Sequence, residues 1–348
     1  MNATKKLRPA LAALAIAVAA AASIAVAAPA QADPTDLDRG LPLPAAPSTV
    51  GNGPVQTGFV PSYIHSQLNP NVAPSGANDF KCKPKDGQRP VVLLHGTYQN
   101  AYNDWAALAP TLKKRGYCVF TPNIGRTDLL NRGGMMTILP AVHGVADIKR
   151  AAKQFNGFVD RVRKATGSEQ VDVVTHSQGG LVARQWLKTE GGTDKKDPSK
   201  SKADKLIMIS SPNNGTTLDG MGWISRKLDD VGLPMFAIGQ WTYGQAPLQQ
   251  AIDSPLIKKL NKGKRTFPGV TMTNLATRYD EVVTPYDTAF IHEPGVKNIL
   301  LQNGCEQDTS DHLSITYSPR TISIVERALD PEDDAEPVCA PHAWLADF

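Results

Sequence analysis

Short apolar runs recur along the chain and alternate with stretches whose apolar residues return every three or four positions. The runs at residues 89–94, 117–121, 171–174, 205–210, 270–277 and 296–302 are bounded by turn or polar residues and predict buried strands. Between them, Trp105, Leu108 and Leu112 fall on one helical face, with Asn103-Asp104 as the expected cap and Gly116 as the stop. Val145, Ile148, Ala152, Phe155, Val159 and Val162 keep helical spacing up to Gly167. Leu181, Ala183 and Leu187 continue a helix after the third strand, and Pro319 opens one over residues 319–329. Strands alternating with helices predict an α/β domain over residues 79–348, with a mostly parallel, doubly wound sheet flanked by helices.

Three stretches break this rhythm. Residues 33–78 are rich in Pro, Gly, Ala and Ser and read as an extended linker or surface arm, with Phe59, Tyr63 and Ile64 as the residues able to dock. Residues 122–144 form a long connection carrying the apolar patch Met135-Met136-Thr137-Ile138-Leu139, placed to line a pocket. Residues 212–268 are too long for a simple crossover. They read as a helical, cap-like insertion whose Trp223, Phe236, Ile238 and Trp241 join Tyr98, Leu139 and Val283 in the expected wall of a substrate pocket.

Composition narrows the setting. Lys5, Lys6 and Arg8 precede an Ala-rich apolar run over residues 10–28, and Ala30-Gln31-Ala32 offers a small-x-small cleavage site. Residues 1–32 therefore read as a secretory signal cleaved after Ala32, with an uncleaved anchor as the alternative. Without that segment, which holds three of the 37 basic residues and no acidic one, the basic residues nearly match the 33 acidic residues. Such a near-neutral chain gives no electrostatic reason for a nucleic-acid partner. Export favours disulfides between Cys82, Cys118, Cys305 and Cys339. Of three possible pairings the sequential one is favoured, each bridge closing a loop of about 35 residues worth roughly 4 kcal/mol. No cysteine or histidine spacing argues for a metal site, no cofactor is called for, and a monomer is expected.

The chemistry centres on Thr175-His176-Ser177-Gln178-Gly179, where a β-branched strand breaks at a small-residue turn and continues as a helix. Strand, sharp turn with serine, helix is the context of a nucleophile elbow, although the usual first residue is Gly rather than Thr175. Acyl transfer by serine needs a base, a group to orient it and donors for an oxyanion. In parallel sheets these collect at the carboxyl ends of strands. Among the histidines, His312 follows the last strand, and His292 and His342 are its rivals. Among the acids, Asp280 ends the strand at residues 270–277, with Glu281, Asp287 and Asp311 as weaker choices. His95 reads as a turn residue and His176 as pointing away from Ser177. The order Ser177, Asp280, His312 is that of α/β-hydrolases. The backbone N–H groups of Gln178 and Thr97 are the expected oxyanion donors, the Thr97 hydroxyl being a further candidate.

Several segments resemble the secreted bacterial triacylglycerol lipases of lipase class 2. They are Pro90-Val91-Val92-Leu93-Leu94-His95-Gly96-Thr97, Gly116-Tyr117-Cys118-Val119-Phe120, His176-Ser177-Gln178-Gly179-Gly180, Asn214-Gly215-Thr216-Thr217-Leu218 and Tyr279-Asp280-Glu281-Val282-Val283-Thr284-Pro285-Tyr286. The likeness runs over residues 80–340 in the family's order. It implies an α/β-hydrolase fold and ester hydrolysis on acylglycerols without a cofactor, at a lipid–water interface. It also implies a triad of Ser177, Asp280 and His312, an oxyanion hole at Thr97 and Gln178, and two sequential disulfides. An acyltransferase acting on a sugar or envelope lipid, and a non-catalytic binding protein on the same scaffold, are the competing readings.

Overall fold

All four residues Val91–Leu94 are buried, as are all six of Val171–His176, and a strand without a solvent face must be covered on both sides. A computed structural model of the chain describes residues 50–194, 196–217 and 235–344, apart from the side chains of 235–238. The expected signal at residues 1–32 and Trp223 lie outside the described residues, as do the side chains of Phe236 and Ile238. The strands are β1 (Val91–Leu94), β2 (Val119–Phe120), β3 (Val171–His176), β4 (Ala203–Ile209), β5 (Thr271–Ala276) and β6 (Val296–Leu300). They form one sheet in the order β2-β1-β3-β4-β5-β6, and every neighbouring pair is parallel. Its register sets Leu94 beside Thr175 and His176 beside Ile209, so the carboxyl ends of the central strands finish together.

The helices are α1 (Phe59–Leu68), α2 (Ala101–Trp105), α3 (Leu108–Lys114), α4 (Ile148–Thr166), α5 (Gln178–Thr189), α6 (Met235–Tyr243), α7 (Gln245–Gln249), α8 (Pro255–Asn261) and α9 (Pro319–Leu329). Alternating strand residues divide the core into two layers. Val92, Leu94, Val173, Leu206 and Met208 pack with Phe155, Val159, Leu181 and Trp186 of α4 and α5. Val91, Leu93, Val174, Ile207 and Leu275 pack with Leu108 and Leu112 of α3 and Ile324 and Val325 of α9. Asp147 caps α4 by accepting from Arg150 N, and Gly167 ends it at φ 81°. Val145, expected within that helix, precedes its cap and packs with Leu139 and Val142 instead.

Two expectations need correction. The helix expected after Asn103-Asp104 is two short helices, and its cap is Asn100, whose side chain accepts from Tyr102 N and Asn103 N. Asn103 returns a bond to Asn100 N, which completes a capping box and leaves Asp104 inside the helix, free for other partners. The part of the arm described, residues 50–78, is docked by polar groups and is partly helical rather than extended. Ser62, Ser66 and Gln67 of α1 are buried, whereas Ile64 is exposed. Ser62 Oγ donates to Asn103 O, Asn100 Nδ2 donates to Ser66 Oγ, and Gln67 Oε1 accepts from Ala141 N. A composition poor in apolar residues hides such a contact, because its bonds go to backbone far away in sequence.

Disulfides join Cys82 to Cys118 and Cys305 to Cys339. The second brings the C-terminal segment onto the loop after β6, where Thr309 N donates to His342 O and His342 Nδ1 bonds Ser310 Oγ. Within the 212–268 insertion, α6, α7 and α8 supply the expected helices. Among the described residues no helix is long and apolar enough to cross a membrane.

Asn100 joins α1, α2 and the connection before α4, since it also donates to Ala141 O. Replacing it with Ala should remove the cap and leave Ser66 Oγ and Ala141 O without this donor, a loss of about 2–3 kcal/mol. Urea unfolding should show a lower midpoint at an unchanged slope, and an unchanged midpoint would refute this account of the docking.

Candidate active site

Ser177 sits between β3 and α5 with φ 51° and ψ −127°, a backbone state that L residues rarely adopt. The turn can close because Gly179 and Gly180, two and three residues on, lack side chains. A Cβ at Gly179 would strike the carbonyl oxygen of Leu94, and one at Gly180 would strike Ser211 Oγ. Thr175, the unusual first residue of the elbow, is buried, with its hydroxyl 3.4 Å from Ile207 O of β4. A hydroxyl satisfied by the neighbouring strand costs little here, which is why Thr fits where Gly is usual.

The Ser177 side chain makes no capping bond to α5. Its Oγ lies 2.9 Å from His312 Nε2, positioned to donate to it. On the other side of the ring, Nδ1 lies 2.9 and 3.0 Å from the two Asp280 oxygens, so an N–H there donates to the carboxylate. Asp280 Oδ1 also accepts from Val282 N at 3.0 Å and Val283 N at 2.7 Å, which fixes the carboxylate in its turn. Ser177, His312 and Asp280 are all buried. Three residues 135 and 32 positions apart in the chain thus form one continuous hydrogen-bonded line.

The rival residues go elsewhere. Asp311 Oδ1 accepts from Leu313 N, Ser314 N and Ser314 Oγ, holding the turn that presents His312. Asp287 and His292 are exposed. His342 bonds Ser310, and His95 is buried with Nδ1 facing Gly96 O and Nε2 accepting from Ile124 N. Glu281 Oε2 is 3.4 Å from His312 N. Burial, with the Asp311 and Asp280 carboxylates nearby, pushes the Glu281 carboxyl up to about 8. Burial likewise raises Asp311, against the bonds it accepts from Ser314.

Gln178 is the first residue of α5, so its backbone N–H has no acceptor within the helix and points out of its N-terminus. Its side chain is committed, with Nε2 donating to Gly144 O at 2.8 Å. Thr97 belongs to the loop after β1, which runs against the elbow. A Cβ on Gly96 would lie 2.9 Å from Ser177 Cβ. Gln250 Nε2 donates to Thr97 Oγ1 at 2.9 Å.

The expected pocket wall is divided. Tyr98 and Leu139 come together with Val142 and Val145, and the Tyr98 hydroxyl donates to Tyr243 O at the end of α6. Val283 packs in a separate cluster with Ala276 and Ala289, where it supports the Asp280 turn. Trp241 stands exposed on α6. Among the described residues no group of three or more His, Cys, Asp or Glu could hold a metal ion.

A family model described as lipase (class 2) matches residues 88–317. The chain belongs to that family. Class 2 lipases are carboxylic ester hydrolases, and the matched span contains Thr97, Ser177, Asp280 and His312. A comparison with curated proteins gives no match. Among solved structures, Aspergillus fumigatus lipase B shares 21% identity over 76% of this chain and 56% of that one, with a TM-score of 0.53. This chain thus spans little more than half the length of that lipase, and at such identity the likeness concerns the fold. Bacillus licheniformis lipase BlEst2 (16% identity, 71% and 94% coverage, TM-score 0.48) and a Pyrobaculum calidifontis esterase (15%, 73% and 80%, 0.44) are also similar.

Sequence reasoning missed Asp104, Gln99, Gln250 and Gly144 around this site. Asp104 looked like a cap and Gln250 like insertion filler, and their contacts span 72 and 153 positions or depend on loop packing.

Glu281 supplies a test through pH. Its carboxyl is held up to about 8 in the folded state against 4.5 ordinarily, so its contribution is fully present below pH 4.5 and lost as pH rises through 8. Glu281→Gln should therefore flatten the decline in stability between those limits, by on the order of 2–3 kcal/mol at pH 8.5. Thermal unfolding across that range measures it, and parallel curves for the two proteins would exclude the shift.

Proposed function

We propose that the protein is a secreted lipase or esterase that hydrolyses acylglycerols or related lipid esters through Ser177, His312 and Asp280. The observation carrying this reading is the line from Ser177 Oγ to His312 Nε2 at 2.9 Å and from His312 Nδ1 to Asp280 at 2.9 Å. His312 takes the proton of Ser177 as Oγ attacks the ester carbonyl. Asp280 keeps the Nδ1 proton in place and stabilises the imidazolium that forms. His312 then returns the proton to the departing alcohol, leaving an acyl-enzyme. Water, deprotonated by the same ring, cleaves that ester and restores Ser177.

The N–H groups of Gln178 and Thr97 receive the oxyanion at each tetrahedral stage. With the Thr97 oxygen already accepting from Gln250, its hydroxyl hydrogen is available as a third donor. Tyr98 and Leu139 form the apolar start of the acyl pocket, and α6 of the insertion, whose Tyr243 O accepts from the Tyr98 hydroxyl, borders it as part of a cap. Leu130, Met135, Ile138, Trp241 and Tyr243 are exposed near that cap, a surface suited to a lipid–water interface. The signal-like residues 1–32 and two disulfides support export, and the protein acts as a monomer without a cofactor.

Ser177→Ala should lower kcat on p-nitrophenyl esters by roughly 10³- to 10⁶-fold. An acyl-length series beside emulsified triglyceride then places the enzyme between esterase and lipase, and near-normal turnover in the variant would sink the reading. Thr97→Val should lower kcat by about 10²-fold with little change in KM. An unaltered kcat would remove the third donor.

A further inference from the structure

Behind His312 lies a second histidine–carboxylate couple that the reaction above leaves unused. His176 ends β3, and both it and Asp104 are buried. His176 Nε2 is 2.9 Å from the main-chain oxygen of His312, and Nδ1 is 2.8 Å from Asp104 Oδ1. A carbonyl oxygen only accepts, so Nε2 carries a hydrogen. An ionised carboxylate also only accepts, so Nδ1 carries one too. Neutral imidazole has one N–H, and the contacts therefore describe an imidazolium against a carboxylate, closed off from water.

The couple touches three parts of the site. Asp104 Oδ2 accepts from Gly96 N at 2.8 Å, in the loop that presents Thr97. The Gln99 amide nitrogen, turned to the couple, reaches both Asp104 oxygens and also lies 3.1 Å from His176 Nδ1. A hydrogen on Nδ1 leaves it no lone pair, so the amide's bond goes to the carboxylate. His176 immediately precedes Ser177, and its ring centroid lies 4.9 Å from that of His312.

We propose that Asp104 and His176 are positioning residues that lock the Thr97 loop, the Ser177 turn and the His312 main chain into one register, and that they do so while His176 is doubly protonated. This rests on the reaction assigned above to Ser177, His312 and Asp280. The groups facing His176 are Asp104 from α2, His95 from the end of β1, Asp280 from the loop after β5 and His312 from the loop after β6. His95 adds no charge, because Nδ1–H faces Gly96 O while Nε2 accepts from Ile124 N. Burial opposes the charge on His176, but Asp104, the His312 carbonyl and Asp280 outweigh it and hold His176 above its ordinary pKa. The lock is therefore complete below that ordinary value and is lost as pH rises through the raised one, where a bare Nδ1 would face the carboxylate.

The decisive variant is Asp104→Asn, which can keep each bond. Its oxygen accepts from Gly96 N, and its amide donates to the bare Nδ1 of a neutral His176 that still holds His312 O through Nε2–H. Asp104→Leu has neither group. With a short p-nitrophenyl ester, Asp104→Leu should lower kcat by about 10²-fold at nearly constant KM, the effect of a misplacement near 1 Å. Asp104→Asn should retain kcat within about threefold near neutral pH and lose the alkaline fall in kcat that His176 deprotonation causes in the wild type. Wild-type kcat in Asp104→Leu, or the same alkaline fall in Asp104→Asn, would overturn the proposal. Should either variant fail to fold, nitrogen-15 NMR of the native protein gives the answer, with His176 assigned by its contact to the His312 ring. Both its nitrogens should be protonated at neutral pH, and a bare Nδ1 refutes the couple. That measurement needs no turnover. An active Ser177→Ala would end the reaction reading alone, whereas a singly protonated His176 beside an inactive Ser177→Ala would end this inference alone.

Discussion

The positive φ at Ser177 is the constraint on which the remaining architecture depends. A non-glycine residue in such a state costs about 1–3 kcal/mol and persists only where its surroundings leave no alternative. Here they do. β3 is paired on both sides, by β1 and β4, so the chain arrives at His176 in a fixed place. The helix α5 leaves at once and packs into the core through Leu181 and Trp186. Gly179 and Gly180 allow it to leave so close to β1 and to Ser211. The sheet core thus holds the hydroxyl outward without spending that hydroxyl on a helix cap.

Around this turn the titratable groups are sorted by the bonds offered to them. Asp280 faces an imidazole and two backbone N–H groups, so its charge has partners on both sides. Asp311, next to His312 in the chain, is absorbed by the turn through Ser314 and Leu313. Glu281 has fewer donors and feels both of the other carboxylates, and there the proton stays on. One carboxylate is thereby reserved for the histidine although three stand within two short loops, which is a more specific arrangement than a shared acidic patch would give.

Apolar strand runs, helical spacing and turn residues were enough to read the sheet from sequence. The strands at Val91–Leu94, Val171–His176 and Thr271–Ala276, and the helix Pro319–Leu329, lie where the pattern put them, because burial on both faces imposes that pattern. Ser177, Asp280 and His312 were legible as candidates for the same reason, each following a recognisable strand. Polar contacts were not legible. Nothing local distinguishes Ser62 or Ser66 as docking residues, and Asp104 obeys the rule for a helix cap while serving Gly96 and His176. A hydrogen bond leaves no periodicity in a sequence, so a site whose second layer is made of such bonds shows only its first layer there.

The bridge between Cys305 and Cys339 gives the two halves of the site unequal tethers. Ser177 is held by the sheet, at the most protected end of the local-opening spectrum. His312 rides on a loop that ends in a covalent ring and is clamped by the C-terminal segment through Thr309, Ser310 and His342. Reducing surroundings would therefore loosen the loop of His312 first and leave Ser177 in place. Under the reaction proposed for Ser177 and His312, the state of the Cys305–Cys339 bridge bears on where that histidine sits, far in sequence from the serine.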